Sequence, residues 1–375
     1  MDRFIHGLPE WPRFYWNLES LAEQVAAVRH EQGRLVGRME ALGFNLQQEA
    51  VLQTSTSDVL KSSEIEGEKL DAKQVRSSIA RRLGMDIGGL KPAGRDVDGV
   101  VEMILDATRN YRQPLTAGRL FDWHAALFPT GRSGLLRIRA GAWRDDASGP
   151  MQVVSGPLGR ERVHFEAPAA SRIEEEMAAF LDWFNDEVDP RDLVLKAGLA
   201  HLWFVTIHPF ADGNGRIARA IADMQLARSE RSPRRFYSMS AQIRLERNAY
   251  YRILERTQQG GMDVTPWMTW FLGCLGRAIE GAHTTLAAVF HKARSWEYLA
   301  AIPLNHRQRI MINRLLDGLR GKLTTVKWAK LTKCSHDTAL RDIQDLVARG
   351  ILLRNTGGGR STSYGLANTW SGGAQ

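Results

Sequence analysis

Apolar positions in this chain recur mostly at helical spacing, and only short stretches alternate as strands do. Residues 48–61 are free of Gly and Pro and suit a helix, with Gly67 suited to its end. Residues 199–207 are apolar throughout, which predicts a buried helix; the Ala-rich run 217–227 predicts another, and 248–258 a further one. Two short strands, 151–155 and 162–165, flank a Gly/Pro turn and predict a hairpin in otherwise helical sequence. Gly and Pro then divide the chain. Residues 1–95 form a helical extension with a Gly-rich break at 84–94, and its Trp11, Phe14, Tyr15 and Trp16 are expected to pack on the body. Residues 96–302 form a core of helices punctuated by Pro114, Pro168, Pro190 and Pro233, and residues 303–375 form a separate module.

That last module has its own pattern. Residues 306–317 and 324–331 are amphipathic, Ser335 can cap a third helix running to Arg349, and Gly350 ends it. A strand from 351 to 353, a Gly-rich turn at 357–360 and a return over 363–366 follow. Three helices and a Gly-turned hairpin resemble a winged helix. Charge sharpens the picture. Residues 303–375 hold twelve Lys and Arg against four Asp and Glu, a net of +8, and the whole chain is also +8, from 50 against 42. Residues 1–302 are therefore formally neutral. A basic surface concentrated on such a module is the footprint expected of a duplex-DNA binder, with Thr338 and Arg341 on the third helix and Arg360 in the turn as the expected contacts. Modules of this kind also serve protein contacts, and the sequence leaves that choice open.

Composition narrows the class. A length of 375 residues, 43% hydrophobic and 25% charged, is that of a globular chain of two or three domains rather than a disordered or fibrous one. No run approaches the roughly 18 apolar residues of a membrane helix. The N-terminus, Met1-Asp2-Arg3, lacks the apolar stretch of a signal peptide. A cytoplasmic protein without a membrane partner is expected. Two distant cysteines, Cys274 and Cys334, supply neither a disulfide framework nor a metal cluster.

The candidate chemistry sits in residues 208–219, H-P-F-A-D-G-N-G-R-I-A-R. Gly213, Asn214 and Gly215 let the backbone gather its N–H groups around one anion, just where the helix over 217–227 begins and adds its own free N–H groups. Arg216 and Arg219, three apart, share a face of that first turn and suit phosphate oxygens. Asp212 can hold Mg²⁺, which binds through one or two carboxylates plus substrate phosphates. His208, at the end of the apolar helix, can accept a hydroxyl proton near neutral pH, and Phe210 reads as an apolar anchor. All eight fixed positions of H-x-F-x-D-G-N-G-R-x-x-R are met, which chance would supply on the order of 10⁻⁸ times in such a chain. The stretch resembles the Fic family signature.

The resemblance implies a mainly α fold: a Fic-type helical core with a small β-hairpin flap, beside the helical extension and the winged helix. It implies transfer of AMP from ATP to a Ser, Thr or Tyr hydroxyl of a protein, which can be the enzyme itself. His208 would be the general base, Asp212 the Mg²⁺ ligand, and Gly213, Asn214 and Gly215 the anion hole. Arg216 would hold the β-phosphate region and Arg219 the γ-phosphate. Ser62, Glu66 and Gly67 fit the family's S/T-x-x-x-E-G/N inhibitory helix, in which Glu66 would pair with Arg219. The hairpin at 151–165, with Val153 and Val154, resembles the flap that holds a target by strand pairing. Tyr250, Tyr251 and Gln258 would line the adenine pocket, although many relatives carry Asn where Gln258 stands. Two alternatives stay open: a DNA-binding regulator whose Fic core senses nucleotide, and an enzyme that removes AMP or moves another phosphate-linked group.

Overall fold

The computed structural model of the chain describes residues 4–85, 92–147, 149–156, 160, 162–188, 191–316, 318–319, 321–355 and 362–367. They fall into two compact units, Met1–Thr284 and Thr285–Gln375. The first begins with α1 (Leu18–Glu40), α2 (Phe44–Ile65), α3 (Ala72–Arg82), α4 (Arg95–Arg109) and α5 (Ala117–Leu127). Two antiparallel hairpins follow, β1 (Arg132–Ser133) with β2 (Leu136–Arg137) and β3 (Gln152–Ser155) with β4 (Arg162–Glu166). Then come α6 (Ile173–Asn185), α7 (Leu193–Ile207), α8 (Asn214–Glu230), α9 (Met239–Leu245), α10 (Arg247–Gln258) and α11 (Thr265–Thr285). The fold is mainly helical with small hairpins, as expected.

The centre of this unit is α7 against α8. Every residue of α7 from Val194 to Ile207 is buried, which its all-round apolar character requires. The helix starts earlier than the apolar run because Asp192 caps it, accepting from the Val194 N–H at 2.8 Å. Gly198 lets α11 approach closely, since a Cβ there would lie 2.9 Å from the Phe271 ring, and Trp267 donates to the Gly198 carbonyl at 2.8 Å. α2 packs along α9 and touches α8 and α4. Both α2 and α8 outrun the segments expected from the sequence, and α8 begins at Asn214 itself.

The N-terminal aromatic residues dock unequally. Trp11 and Phe14 contact Trp203 edge-on at 6.4 and 5.7 Å, and the Trp11 indole donates to Glu176 at 2.7 Å. Tyr15 departs from expectation: its side chain is 61% exposed, and its backbone bonds Met262 and Val264 instead.

The second unit contains α12 (Ala287–Leu299), α13 (His306–Leu316), α14 (Thr325–Thr332), α15 (His336–Ala348) and the antiparallel pair β5 (Leu352–Arg354) and β6 (Tyr364–Leu366). Leu323 bridges to Tyr364 beside that pair. Ala339, Ile343 and Leu346 on α15 face a core with Met311, Ile312, Trp328 and Ile351, the i, i+4, i+7 spacing of one helix face. Ser335 caps α15, accepting from the Thr338 N–H at 3.2 Å. Arg341 is exposed and Thr338 half-buried on α15, while Arg360 lies outside the described residues.

Candidate active site

α7 ends at His208, which adopts the left-handed conformation (φ 52°, ψ 57°) and so turns the chain out of the core. Its ring Nδ1 lies 3.1 Å from the Val205 carbonyl. A carbonyl only accepts, so Nδ1 carries the proton and Nε2 keeps its lone pair. Burial pushes the imidazole pKa down to about 4, with the Arg144 charge adding to the effect; the ring is neutral near pH 7. Arg144 holds this unusual backbone in place. Its Nε donates to the His208 carbonyl at 2.8 Å, its backbone N–H to Pro209 at 2.9 Å, and its other nitrogens to Pro168 and Asp146.

The loop after His208 is anchored by Phe210, fully buried and stacked on His124 at 4.2 Å with Trp143 alongside at 4.9 Å. The Asn214 amide is committed to this anchor. It donates to the Phe210 carbonyl at 2.8 Å and accepts the Phe210 N–H at 3.0 Å, so its side chain shapes the loop. Gly213 supplies the turn: φ is 81°, and a Cβ would lie 2.9 Å from the Phe128 ring. Gly215, by contrast, is an ordinary helical residue of α8. A Cβ on it would sit 2.3 Å from Glu66 Oε1, so a side chain there would push the Glu66 carboxylate from its present place. Asp212 accepts from the Gly213 N–H at 2.5 Å and from the Ser133 hydroxyl.

Arg216 and Arg219 project from the first turns of α8, each with a side chain no more than 3% exposed. Arg219 donates from Nε to the Ser62 hydroxyl and from Nη2 to the Ser62 carbonyl, both at 3.0 Å, and from Nη2 to Glu66 at 2.8 Å. Arg216 pairs with Glu68 at 2.6 Å and lies over the Phe128 ring. Two buried guanidinium nitrogens, Arg216 Nε and Arg219 Nη1, have no hydrogen-bond partner among the described residues. A neutral base with its lone pair free, a carboxylate, a helix N-terminus and buried, part-unsatisfied guanidinium groups together form an anion site beside a proton acceptor.

Residues 114–226 match the model of the Fic/DOC family. The chain contains a Fic/DOC domain. Residues 4–85 match a domain of unknown function, DUF4172. The protein adenylyltransferase Fic of Nematostella vectensis is 35% identical over 130 residues, 33% of this chain and 28% of that one. The protein adenylyltransferase fic-1 of Caenorhabditis elegans is 41% identical over 59 residues, 15% of this chain and 11% of that one. The chain thus matches less than a third of the length of these relatives. Among solved structures, a Fic family protein from Desulfovibrio desulfuricans has a TM-score of 0.56 at 23% identity, over 92% of this chain and 96% of that one. A Fic domain protein from Bacteroides thetaiotaomicron has a TM-score of 0.51 at 20% identity, over 69% and 96%. Both likenesses are of fold.

Other sequence-derived candidates lie around the Fic/DOC domain's loop. Tyr251 reaches the Ile65 carbonyl at the end of α2, at 3.4 Å, and Arg247 donates to the same oxygen at 2.8 Å. Tyr250 is buried, with its hydroxyl 2.9 Å from His201 Nε2. Gln258 is buried too and donates to Thr206 on α7 at 3.2 Å. In the β3–β4 hairpin Val153 is half-buried and Val154 is 47% exposed, with a register shift between them. Sequence reasoning missed Arg144, Ser133 and Glu68. The first two lie in no recognisable pattern; Glu68 stands one residue beyond the motif at Ser62 to Gly67, a nearness that was a usable signal.

Proposed function

We propose that the chain is a protein adenylyltransferase that moves AMP from ATP to a Ser, Thr or Tyr hydroxyl of a protein, held off by Glu66 on Arg219. The observation that carries this reading is the pair of unsatisfied buried nitrogens on Arg216 and Arg219 beside a His208 whose Nε2 is free to take a proton. Relatives named adenylyltransferases support the same choice. His208 Nε2 takes the proton of the incoming hydroxyl as its oxygen bonds the α-phosphorus; pyrophosphate leaves, and the AMP ester remains on the target. The N–H groups of Gly213, Asn214 and Gly215 and the two guanidinium groups stabilise the charge that gathers on the phosphates. Asp212 is the carboxylate that would hold Mg²⁺, which binds through so few carboxylates because the nucleotide supplies the remaining oxygens; the ion would neutralise phosphate charge. β3, which pairs with β4 alone among the described residues, would take the target segment on its other edge beside Val153 and Val154. Tyr251 and Gln258 would flank the adenine, with Tyr250 behind them in the core.

Mass spectrometry of the purified protein after incubation with ATP and Mg²⁺ tests donor and reaction together. An adduct of about +329 Da, AMP less water, is expected on the protein or an added acceptor. Loss of that adduct from a pre-modified target would establish the removal reaction instead, and an adduct of another mass another donor.

The second unit reads as a winged helix. Helices α13, α14 and α15 and the β5–β6 pair, with the Leu323 bridge beside it, support this, and the +8 charge of residues 303–375 favours a duplex-DNA partner for Arg341 and Thr338. Fluorescence anisotropy of the full chain with a DNA duplex should show binding that weakens steeply between low and moderate salt, by counterion release. Absence of binding at low salt would leave a protein-contact role. No helix among the described residues is long and apolar enough to cross a membrane.

A further inference from the structure

The turn that ends α2 delivers two carboxylates. Gly67 lies at φ 87°, with space around it, so the conformation alone calls for glycine there. Two hydrogen bonds lock the reversal: Gly67 N–H to the Glu64 carbonyl at 3.2 Å and Glu68 N–H to the Ser63 carbonyl at 3.0 Å, the paired bonds of a helix end closed by a left-handed residue. They fix the backbone from which the Glu66 and Glu68 side chains project. Arg216 and Arg219, three apart on α8, share a face. One turn therefore meets one helix face twice, Glu66 on Arg219 at 2.8 Å and Glu68 on Arg216 at 2.6 Å. Glu64 goes elsewhere, to Lys61 and Arg244.

We infer that Glu68 is a second lock on the nucleotide site, occupying Arg216 independently of Glu66 on Arg219. The inference rests on the adenylyltransferase reading. The asymmetry of the pair makes it a lock rather than a brace. The Arg216 side chain is 3% exposed and cannot leave, whereas that of Glu68 is 44% exposed and can swing into water. A buried guanidinium without a counter-charge is costly, so it takes whichever anion is present. A phosphate brings more negative charge and more acceptor oxygens than a carboxylate, and Arg216 Nε still lacks an acceptor. Nucleotide binding must then displace two carboxylates, one for each arginine. Removing Glu66 frees Arg219 and leaves Arg216 held.

Four proteins test this: wild type, Glu66→Gly, Glu68→Gln and the double variant. The measurement is calorimetric binding of an ATP analogue with methylene between the α- and β-phosphorus, with Mg²⁺, so that no transfer is needed. Glu68→Gln keeps the side chain's shape, and unchanged circular dichroism and melting would establish that it folds. It should tighten binding about five- to tenfold in both backgrounds, as expected for a half-exposed competing ion pair, and the double variant should combine both gains. If Glu66→Gly tightens binding and Glu68→Gln does nothing in either background, the second lock is wrong and the first stands. Weaker binding on Glu68→Gln would make the carboxylate a positioning partner for Arg216 and overturn the inference too. If none of the four binds the analogue, the nucleotide reading fails and the second lock with it.

Discussion

Replacing His208 by alanine is expected to reduce AMP transfer by about 10²–10⁴ while ATP still binds. The two functions separate because different atoms serve them. In the proposed mechanism the loop N–H groups, Arg216 and Arg219 would hold phosphate, whereas His208 would meet only the incoming hydroxyl. Its Nδ1–H is spent on Val205 at 3.1 Å and its carbonyl is held by Arg144 at 2.8 Å, so Nε2 alone remains for chemistry. The imidazole pKa of about 4 adds a second signature. The neutral form is the active one, so kcat/KM should rise with pH through a limb near 4 and stay flat through 6.5, where an unperturbed histidine would still be titrating. Calorimetric ATP affinity and labelled-AMP incorporation for wild type and His208→Ala, with a pH series on wild type, make the comparison. Near-normal transfer by the variant would remove His208 from the mechanism.

Most of the site was legible because its parts are adjacent in sequence. His208, Phe210, Asp212 and the two arginines lie within twelve residues, and α7 and α8 follow from the apolar runs on either side. Glu66 was legible only through the likeness of Ser62, Glu66 and Gly67 to the family's inhibitory helix. What escaped depends on reach through space. Arg144 enters from another segment to fasten the His208 and Pro209 carbonyls, and nothing in its local sequence says so. Glu68 meets a helix 148 residues away only because the chain reverses at Gly67, which a helical-spacing argument does not extend past. One reading missed the conformation: Gly215 lies within α8 and takes an ordinary helical backbone, and the Asn214 side-chain amide, to which the sequence assigned nothing, folds the Phe210 loop. Tyr15 shows the limit of composition: beside aromatic rings that dock, it stays exposed while its backbone bonds Met262 and Val264.

Glu66→Gly is expected to raise AMP incorporation on the order of tenfold or more, most visibly as self-modification where no other acceptor is supplied. Arg219 is buried and held from two sides, by the Ser62 hydroxyl and carbonyl and by Glu66. Removing the carboxylate leaves the guanidinium positioned by Ser62 but without its counter-charge, which is the state that most favours a γ-phosphate in its place. Space matters as well. Glu66 Oε1 lies just where a side chain on Gly215 would begin, over the first turn of α8. Glu64 cannot replace it, being tied to Lys61 at 2.8 Å on the other side of the helix. Because the freed arginine is the agent, Glu66→Gly combined with Arg219→Ala should return to low incorporation. Labelled-ATP assays on wild type, the single variant and the double variant decide the matter. Equal incorporation by Glu66→Gly and wild type would reduce the Glu66–Arg219 contact to a structural ion pair, and high incorporation by the double variant would show that Glu66 blocks the site by bulk rather than by holding Arg219.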